Sequence, residues 1–337
     1  MRRNASSRLS RRDFLRTTAA TVAGLAAGPA LGFAGVKRQA AGGGGTAVVL
    51  IKTSDRKRGA AEALRLLEVP SLAGKKALVK PNFNTADPTP GSTHNDTLST
   101  IIAGLRDRGA ASVTVGERSG PPQTKKVMED KGIFDMAEEL GFGIVNFEDL
   151  SDEDWLPVNP PGNHWDGGFF VPRPVVEADY VVSTCCLKTH AYGGVFSMSL
   201  KLAVGLTPKR LMRQLHRSPD QRRMIAEINQ GYAPRVIILD GVEAFVDGGP
   251  SEGKRATADV FIAGTDRVAV DAAGLAVLKD LGSNEAVMKT KVFDQEQIRR
   301  AVEVGLGVTG PGQIRFVTPD AASRDYARKL QAILARG

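Results

Sequence analysis

Cysteine is almost absent from this chain: 337 residues contain two, Cys185 and Cys186, side by side. Neighbours on a strand point to opposite faces, so a disulfide between them would be strained. They read instead as two small buried residues of a strand. No Cys-x-x-Cys spacing occurs, which excludes a four-cysteine iron–sulfur cluster or zinc knot encoded in the chain itself. Nucleotide fingerprints are missing too: there is neither a G-x-G-x-x-G nor a P-loop sequence. Ser119, Ser197 and Ser199 lie in no G-x-S-x-G elbow, so nucleophilic hydrolysis has little support. Basic residues do not alternate with aromatics in any run, which argues against a nucleic-acid partner. The net charge of +8 is uneven. Residues 1–34 hold six arginines against one aspartate, so +5 sits there and +3 is left for the rest. That remainder is the ordinary balance of a soluble protein.

The arginine-rich start is organised. Ser10-Arg11-Arg12-Asp13-Phe14-Leu15-Arg16 has two adjacent arginines, a variable residue, then Phe-Leu and a base. It resembles a twin-arginine export signal. A mildly apolar run, Thr17 to Gly35, follows, too weakly hydrophobic for a stable membrane span. Gly32 and Ala34 suit a signal peptidase. The expectation is a signal over residues 1–34, a Gly-rich flexible tether over 35–45, and a folded unit over 46–337. The implied partner is the twin-arginine translocase, and the implied location is periplasmic or extracellular. That route passes folded chains, which suits a protein whose cofactor is inserted before export.

From Thr46 onward, β-branched runs alternate with helical stretches. Strands are expected at Ala47–Ile51, Lys76–Lys80, Ser112–Gly116, Tyr180–Cys185, Arg235–Asp240, Ala258–Ala263 and Ile314–Val317. Helices fall between them, and 151–175, with Trp155, Trp165 and several prolines, reads as an irregular excursion or small hairpin. The pattern predicts an α/β fold: a mostly parallel sheet flanked by helices, as one body or as two lobes around a crevice. Ligands in such sheets bind beyond the carboxyl ends of the strands.

Polar residues cluster at those ends. Lys80-Pro81-Asn82 follows one strand, offering an ammonium for an anion and an amide for carbonyl or hydroxyl groups. Pro90-Gly91-Ser92-Thr93-His94-Asn95 opens a helix, with Thr93 or Asn95 as cap and His94 beside the helix start. The densest segment runs from Lys188 through His190 and Gly193-Gly194 to Lys201. The two-residue period puts Lys188 and His190 on one side of their strand. His216 follows on the next helix. Two lysines and two histidines there define an electropositive pocket for a carboxylate, a phosphate or a metal cofactor with an anionic part. Asp240 ends another strand, where it can balance lysines, bind metal or act as a base. Asp271, read in the first turn of a helix, is taken as structural.

In this order the segments Lys80-Pro81-Asn82, Gly116-Glu117, Leu187-Lys188-Thr189-His190, Leu200-Lys201 with Gly205, His216, Asp240-Gly241, Gly248 to Gly253 and Val268 to Asp271 resemble the family called Domain of Unknown Function 362. The resemblance extends from about Thr46 to Gly307. Members of that family often carry a ferredoxin-like iron–sulfur module, which this chain lacks. It also has Lys201-Leu202 where the family usually has Lys-Asn. A more distant likeness, through His94, His190, Lys201 and His216, is to the lactate racemase family, which holds a nickel-pincer cofactor and moves a hydride on a 2-hydroxy acid. The resemblance implies that Lys201 tethers a cofactor, that His216 ligates its metal, and that His94 and His190 exchange a proton. Lys80, Asn82, Lys188 and Asp240 would line the same crevice.

Three functions are therefore in view. The first is an exported enzyme acting on a small anionic ligand with a metal or metal–organic cofactor. The second is a non-catalytic protein that binds an anion or metal complex. The third is an accessory subunit of an exported redox complex whose cluster comes from a separate iron–sulfur protein.

Overall fold

The computed structural model of the chain describes residues 45–337. The export-signal reading, and the tether up to Gly44, lie outside them. Eleven strands appear among the described residues: β1 (Thr46–Lys52), β2 (Lys76–Lys80), β3 (Ser112–Glu117), β4 (Gly143–Asn146), β5 (Trp155–Val158), β6 (Phe169–Pro172), β7 (Tyr180–His190), β8 (Val195–Phe196), β9 (Val236–Gly248), β10 (Gly253–Gly264) and β11 (Ile314–Val317). One sheet takes the order β11-β1-β10-β9-β7-β2-β3-β4, with β8 attached to β7. Along that row every pairing is parallel except the two that β10 makes, with β1 and β9. The sheet is thus mixed and mostly parallel, flanked by helices. β10 runs backwards because a tight turn, Gly248 to Gly253, joins it to β9 without room for a crossover.

Alternation along the strands sorts the core onto two faces. Leu50, Leu187, Leu239 and Ile262 pack under the helix Arg267–Asp280 and the C-terminal helix Ala321–Arg336. Val49, Ile51, Val79, Ile238 and Phe261 pack under the helices Arg56–Leu66 and Asn95–Asp107. Cys185 and Cys186 are both buried and free in β7. The 151–175 excursion contains the hairpin β5–β6, with Trp155 opposite Pro172. Trp155, Trp165, Phe169 and Val171 close a third core with Leu215, Met224 and Ile225 from the helices Met212–Arg217 and Gln221–Ile228.

Local signals fix several helix ends. Asp55 caps the first helix by accepting from Arg58 N. Gly132, at φ +65, separates the helices Thr124–Asp130 and Ile133–Leu140. At Asn95–Asp107 the cap is His94 itself, whose Nδ1 accepts from Asp96 N at 3.1 Å. Thr93 is not available as the cap because its hydroxyl accepts from Asn82 N at 2.8 Å.

Candidate functional site

β7 carries the chain to its functional end. Thr189 faces one way and donates its hydroxyl to the carbonyls of Phe245 and Gly248. Lys188 and His190 therefore share the other side. Lys188 is fully buried and donates to Gly91 O at 2.6 Å and Pro250 O at 3.0 Å. Burial lowers its pKa to about 8. The Gly248 to Gly253 turn buttresses this strand end. A Cβ at Gly249 would stand 2.1 Å from Thr189 O, and φ there is +78, so glycine is required on both counts. Gly249 O also accepts from Ala191 N at 3.2 Å.

The chain then turns back through Tyr192, Gly193 and Gly194 into β8. Val195, opposite His190, takes φ +63, a conformation strained for a β-branched residue. Gln297 pins the turn by donating to Gly194 O at 2.6 Å and Phe196 O at 3.2 Å. A Cβ at Gly194 would lie 3.0 Å from His190 Nδ1 and 3.0 Å from Lys201 Cε. That empty Cβ position is what lets the imidazole and the lysine stem approach the same point.

Lys201 is on the four-residue helix Ser199–Leu202. So short a helix needs an external cap, and Asp271 supplies it: its two carboxylate oxygens accept from Ser199 N at 2.7 Å and Leu200 N at 2.9 Å. Asp271 is the fifth residue of Arg267–Asp280, past its first turn, so its role is to cap the neighbouring helix and not its own. Desolvation raises its pKa to about 7.

No hydrogen-bond acceptor or carboxylate partners the Lys201 amine among the described residues. Burial lowers its pKa to about 7, with repulsion from Lys188 and Arg118 adding to the effect. Part of Lys201 still reaches solvent. Lys188 and Arg118, the charges that act on it, both favour the neutral amine. His190 Nδ1 is buried without a partner. Desolvation, then Lys201, Lys188 and His216, pushes the His190 pKa down to about 2. His216, exposed on Met212–Arg217, places Nδ1 2.7 Å from Met212 O. A carbonyl only accepts, so Nδ1 carries the proton and Nε2 is left as a free lone pair. That is the arrangement metal-binding histidines use.

Lys201, Lys188 and His216 thus all bear on His190. The other expected residues are engaged elsewhere. Lys80 is fully buried, and its ammonium meets Glu117 Oε1 at 2.5 Å and Pro81 O at 2.6 Å. Glu117 also accepts from Phe83 N and Arg118 N, each at 2.8 Å. Desolvation lowers the Lys80 pKa, and Glu117 opposes it. Gly205 makes room for this pair: a Cβ there would stand 2.9 Å from Glu117 Oε1 and 3.0 Å from Lys80 Nζ. Asn82 leaves Oδ1 buried and unpartnered. Asp240 accepts from Thr97 Oγ1 at 2.7 Å, Arg56 Nε at 3.1 Å and Val242 N at 3.2 Å. His94 belongs to this cluster. Burial and Arg56 lower its pKa, and Asp96 and Asp240 raise it. Among the described residues no hydrogen bond links His94 to His190, and Lys188 reaches the segment leading into His94 through Gly91 O.

Sequence reading passed over Glu117 as an ion-pair partner, Arg118, and His164 with its buried partner Glu227. Gly116-Glu117 was visible as a motif, but nothing local says that Glu117 reaches across to Lys80. His164 sits in the irregular excursion, where no period or cap marks it.

A mostly parallel α/β sheet with a cation-rich, carboxylate-poor group at one strand end defines the class of this molecule. A family described as "Domain of unknown function (DUF362)" matches residues 77–276, well over half the chain, and the chain belongs to it. It is 25% identical over 209 residues to a thylakoid-associated protein of Synechocystis, covering 59% of this chain and 61% of that one. It thus spans about three-fifths of that relative's length. Among solved structures it is similar to the lactate racemase apoprotein of Thermoanaerobacterium thermosaccharolyticum, at 16% identity, 84% and 85% coverage and a TM-score of 0.42. It is also similar to a Thermotoga maritima protein, at 15% identity, 60% and 53% coverage and a TM-score of 0.41.

Proposed function

We propose that this chain is exported in folded form and works outside the cytoplasm as an enzyme on a small anionic substrate, with a metal–organic cofactor anchored at Lys201. The observation that carries the reading is His190 Nδ1, buried without a partner and close to the stem of Lys201, whose amine meets no carboxylate. Polar groups this crowded normally find partners within the protein. A ligand would supply what they lack: negative charge and a hydrogen-bond donor or acceptor.

The residues fit such a group. With its pKa near 7, Lys201 is substantially neutral at physiological pH and can form a covalent bond to an electrophilic carbonyl carbon. His216 Nε2 is oriented as a metal ligand by the bond from its Nδ1. No cluster of three or more His, Cys, Asp or Glu side chains that could hold a metal occurs among the described residues. A metal at this place would therefore have to bring part of its coordination from an organic ligand. Such a cofactor, when bound, would supply an electron-accepting, Lewis-acidic centre.

The protein's own groups would do the rest. Lys188, fixed by two carbonyls, sets a positive potential on the substrate side. His190 is neutral in the free protein and is the group placed to take a proton. An anionic substrate would raise its low pKa by opposing the lysines, so base strength would be acquired on binding. His94, which caps its own helix, is left outside this role. Among the described residues no helix is long and apolar enough to cross a membrane. The twin-arginine translocase is the proposed export partner.

The decisive experiment is intact mass spectrometry with elemental analysis on chain recovered from the extracytoplasmic fraction of its native host. A mass excess mapping to Lys201, with about one metal per chain, is expected. Lys201→Ala should lose both. Wild-type chain of unmodified mass and free of metal would overturn the reading.

A further inference from the structure

Three arginines share a cleft that is lined by none of Lys188, His190, Lys201 and His216, though His216 is on the same helix. The cleft is open to solvent, has a volume of about 540 Å3 and is lined by Arg210, Arg213, Arg217, Gln214, His164 and Met224. Its size suits a small molecule, for which sites of about 300–1,000 Å3 are usual. Arg213 and Arg217 are four residues apart on Met212–Arg217 and fall on one face. Both are exposed, and neither has an ion-pair partner among the described residues. Like charges at this spacing repel each other. Arg210 reaches Asp152 at 3.2 Å, but that carboxylate is 91% exposed and holds it weakly. Its guanidinium also lies 5.0 Å from the Phe170 ring centre, within cation–π range.

Part of the lining is built rather than incidental. His164 Nδ1 lies 2.6 Å from Glu227 Oε1, and Glu227 Oε2 accepts from His164 N at 2.9 Å. Glu227 is fully buried and is gripped by Arg300 through Nε at 2.9 Å and Nη2 at 2.7 Å. The imidazole is thereby held in place in the lining of the cleft. No carboxylate is among the lining residues, and Asp220, 4.0 Å from His164 Nε2, is itself paired with Arg223 at 3.4 Å.

We propose that this cleft binds the phosphate group of a phosphomonoester, carried either by a small soluble molecule or by a lipid headgroup. A dianionic phosphate matches several guanidinium forks better than a single carboxylate would. The apolar Met224 in the lining accepts whatever bears the phosphate. The site is independent of the Lys201 proposal, since no residue is shared between them.

The test uses the full exported chain at fixed ionic strength. One arm titrates phenyl phosphate calorimetrically. The other sediments the chain with phosphatidylcholine vesicles, with and without phosphatidic acid. Saturable binding is expected in at least one arm. Arg213→Gln with Arg217→Gln should weaken it by about tenfold or more. Acylation of Lys201 by an amine-reactive probe should be unchanged in that variant. Binding of phenyl phosphate identifies a soluble ligand, and binding to phosphatidic acid vesicles alone identifies a lipid. If the double variant does not fold, each single exchange should weaken binding by about threefold. Absence of saturable binding in both arms, or retention of wild-type affinity in the arginine variants, overturns the proposal.

Discussion

At the scale of single residues, the same chemistry plays opposite parts according to its surroundings. Lys80 and Lys201 are both crowded by protein. Lys80 meets Glu117 and is a closed ion pair, whereas Lys201 meets only positive charge and is open to a ligand. The sequence shows two lysines near strand ends and cannot tell them apart, because Glu117 lies 37 positions from Lys80. Gly205 makes the difference testable. Gly205→Ala inserts a methyl against both members of the buried pair. Overpacking of this kind costs about 1–3 kcal/mol. Gly310 has extended backbone and nothing within 4 Å of its Cβ position. Gly310→Ala should therefore stay within about 0.5 kcal/mol of wild type. Urea unfolding midpoints of the two variants should separate accordingly.

At the scale of elements, short pieces hold the candidate site through distant partners. The helix Ser199–Leu202 depends on Asp271, 72 residues away from Ser199. Because the folded-state pKa of Asp271 is raised to about 7 from an ordinary 3.8, the sign of its pH effect is defined. Between those values the unfolded chain releases the proton and the folded one keeps it. Stability from this group is thus fully present below pH 3.8 and is lost as pH rises toward 7. Asp271→Asn abolishes the titration but weakens the cap, by about 1 kcal/mol. The variant's deficit in urea midpoint should be larger at pH 5 than at pH 8. An equal deficit at both would show that the carboxyl titrates normally. Most of the strands were legible: the β-branched runs Lys76–Lys80 and Ile314–Val317 coincide with β2 and β11. The capping of Asn95–Asp107 by His94 was not, because histidine is an unusual cap and Thr93 offered the commoner one.

At the scale of the whole molecule, the uneven charge bears on export. Twin-arginine recognition is proposed from Arg11 and Arg12, and a guanidinium pair is not interchangeable with two ammonium groups. Arg11→Lys with Arg12→Lys should shift the chain from the extracytoplasmic fraction to the cytoplasm by tenfold or more, about 1.4 kcal/mol in recognition. Immunoblotting of fractions reads this out, and unchanged partition would remove the export reading. The sequence by itself determined the α/β class, because strand and helix periods are written in local hydrophobic spacing. It also determined the pairing of Lys188 with His190 on one side of β7, because alternation is a property of any strand. Only the tertiary structure decided that β10 runs against its neighbours, that Lys80 is consumed by Glu117, and that Gly194 lets His190 and the Lys201 stem approach one point. Those outcomes depend on which distant segments share a volume once the sheet closes its faces, and contacts of that range leave no periodic mark in the chain.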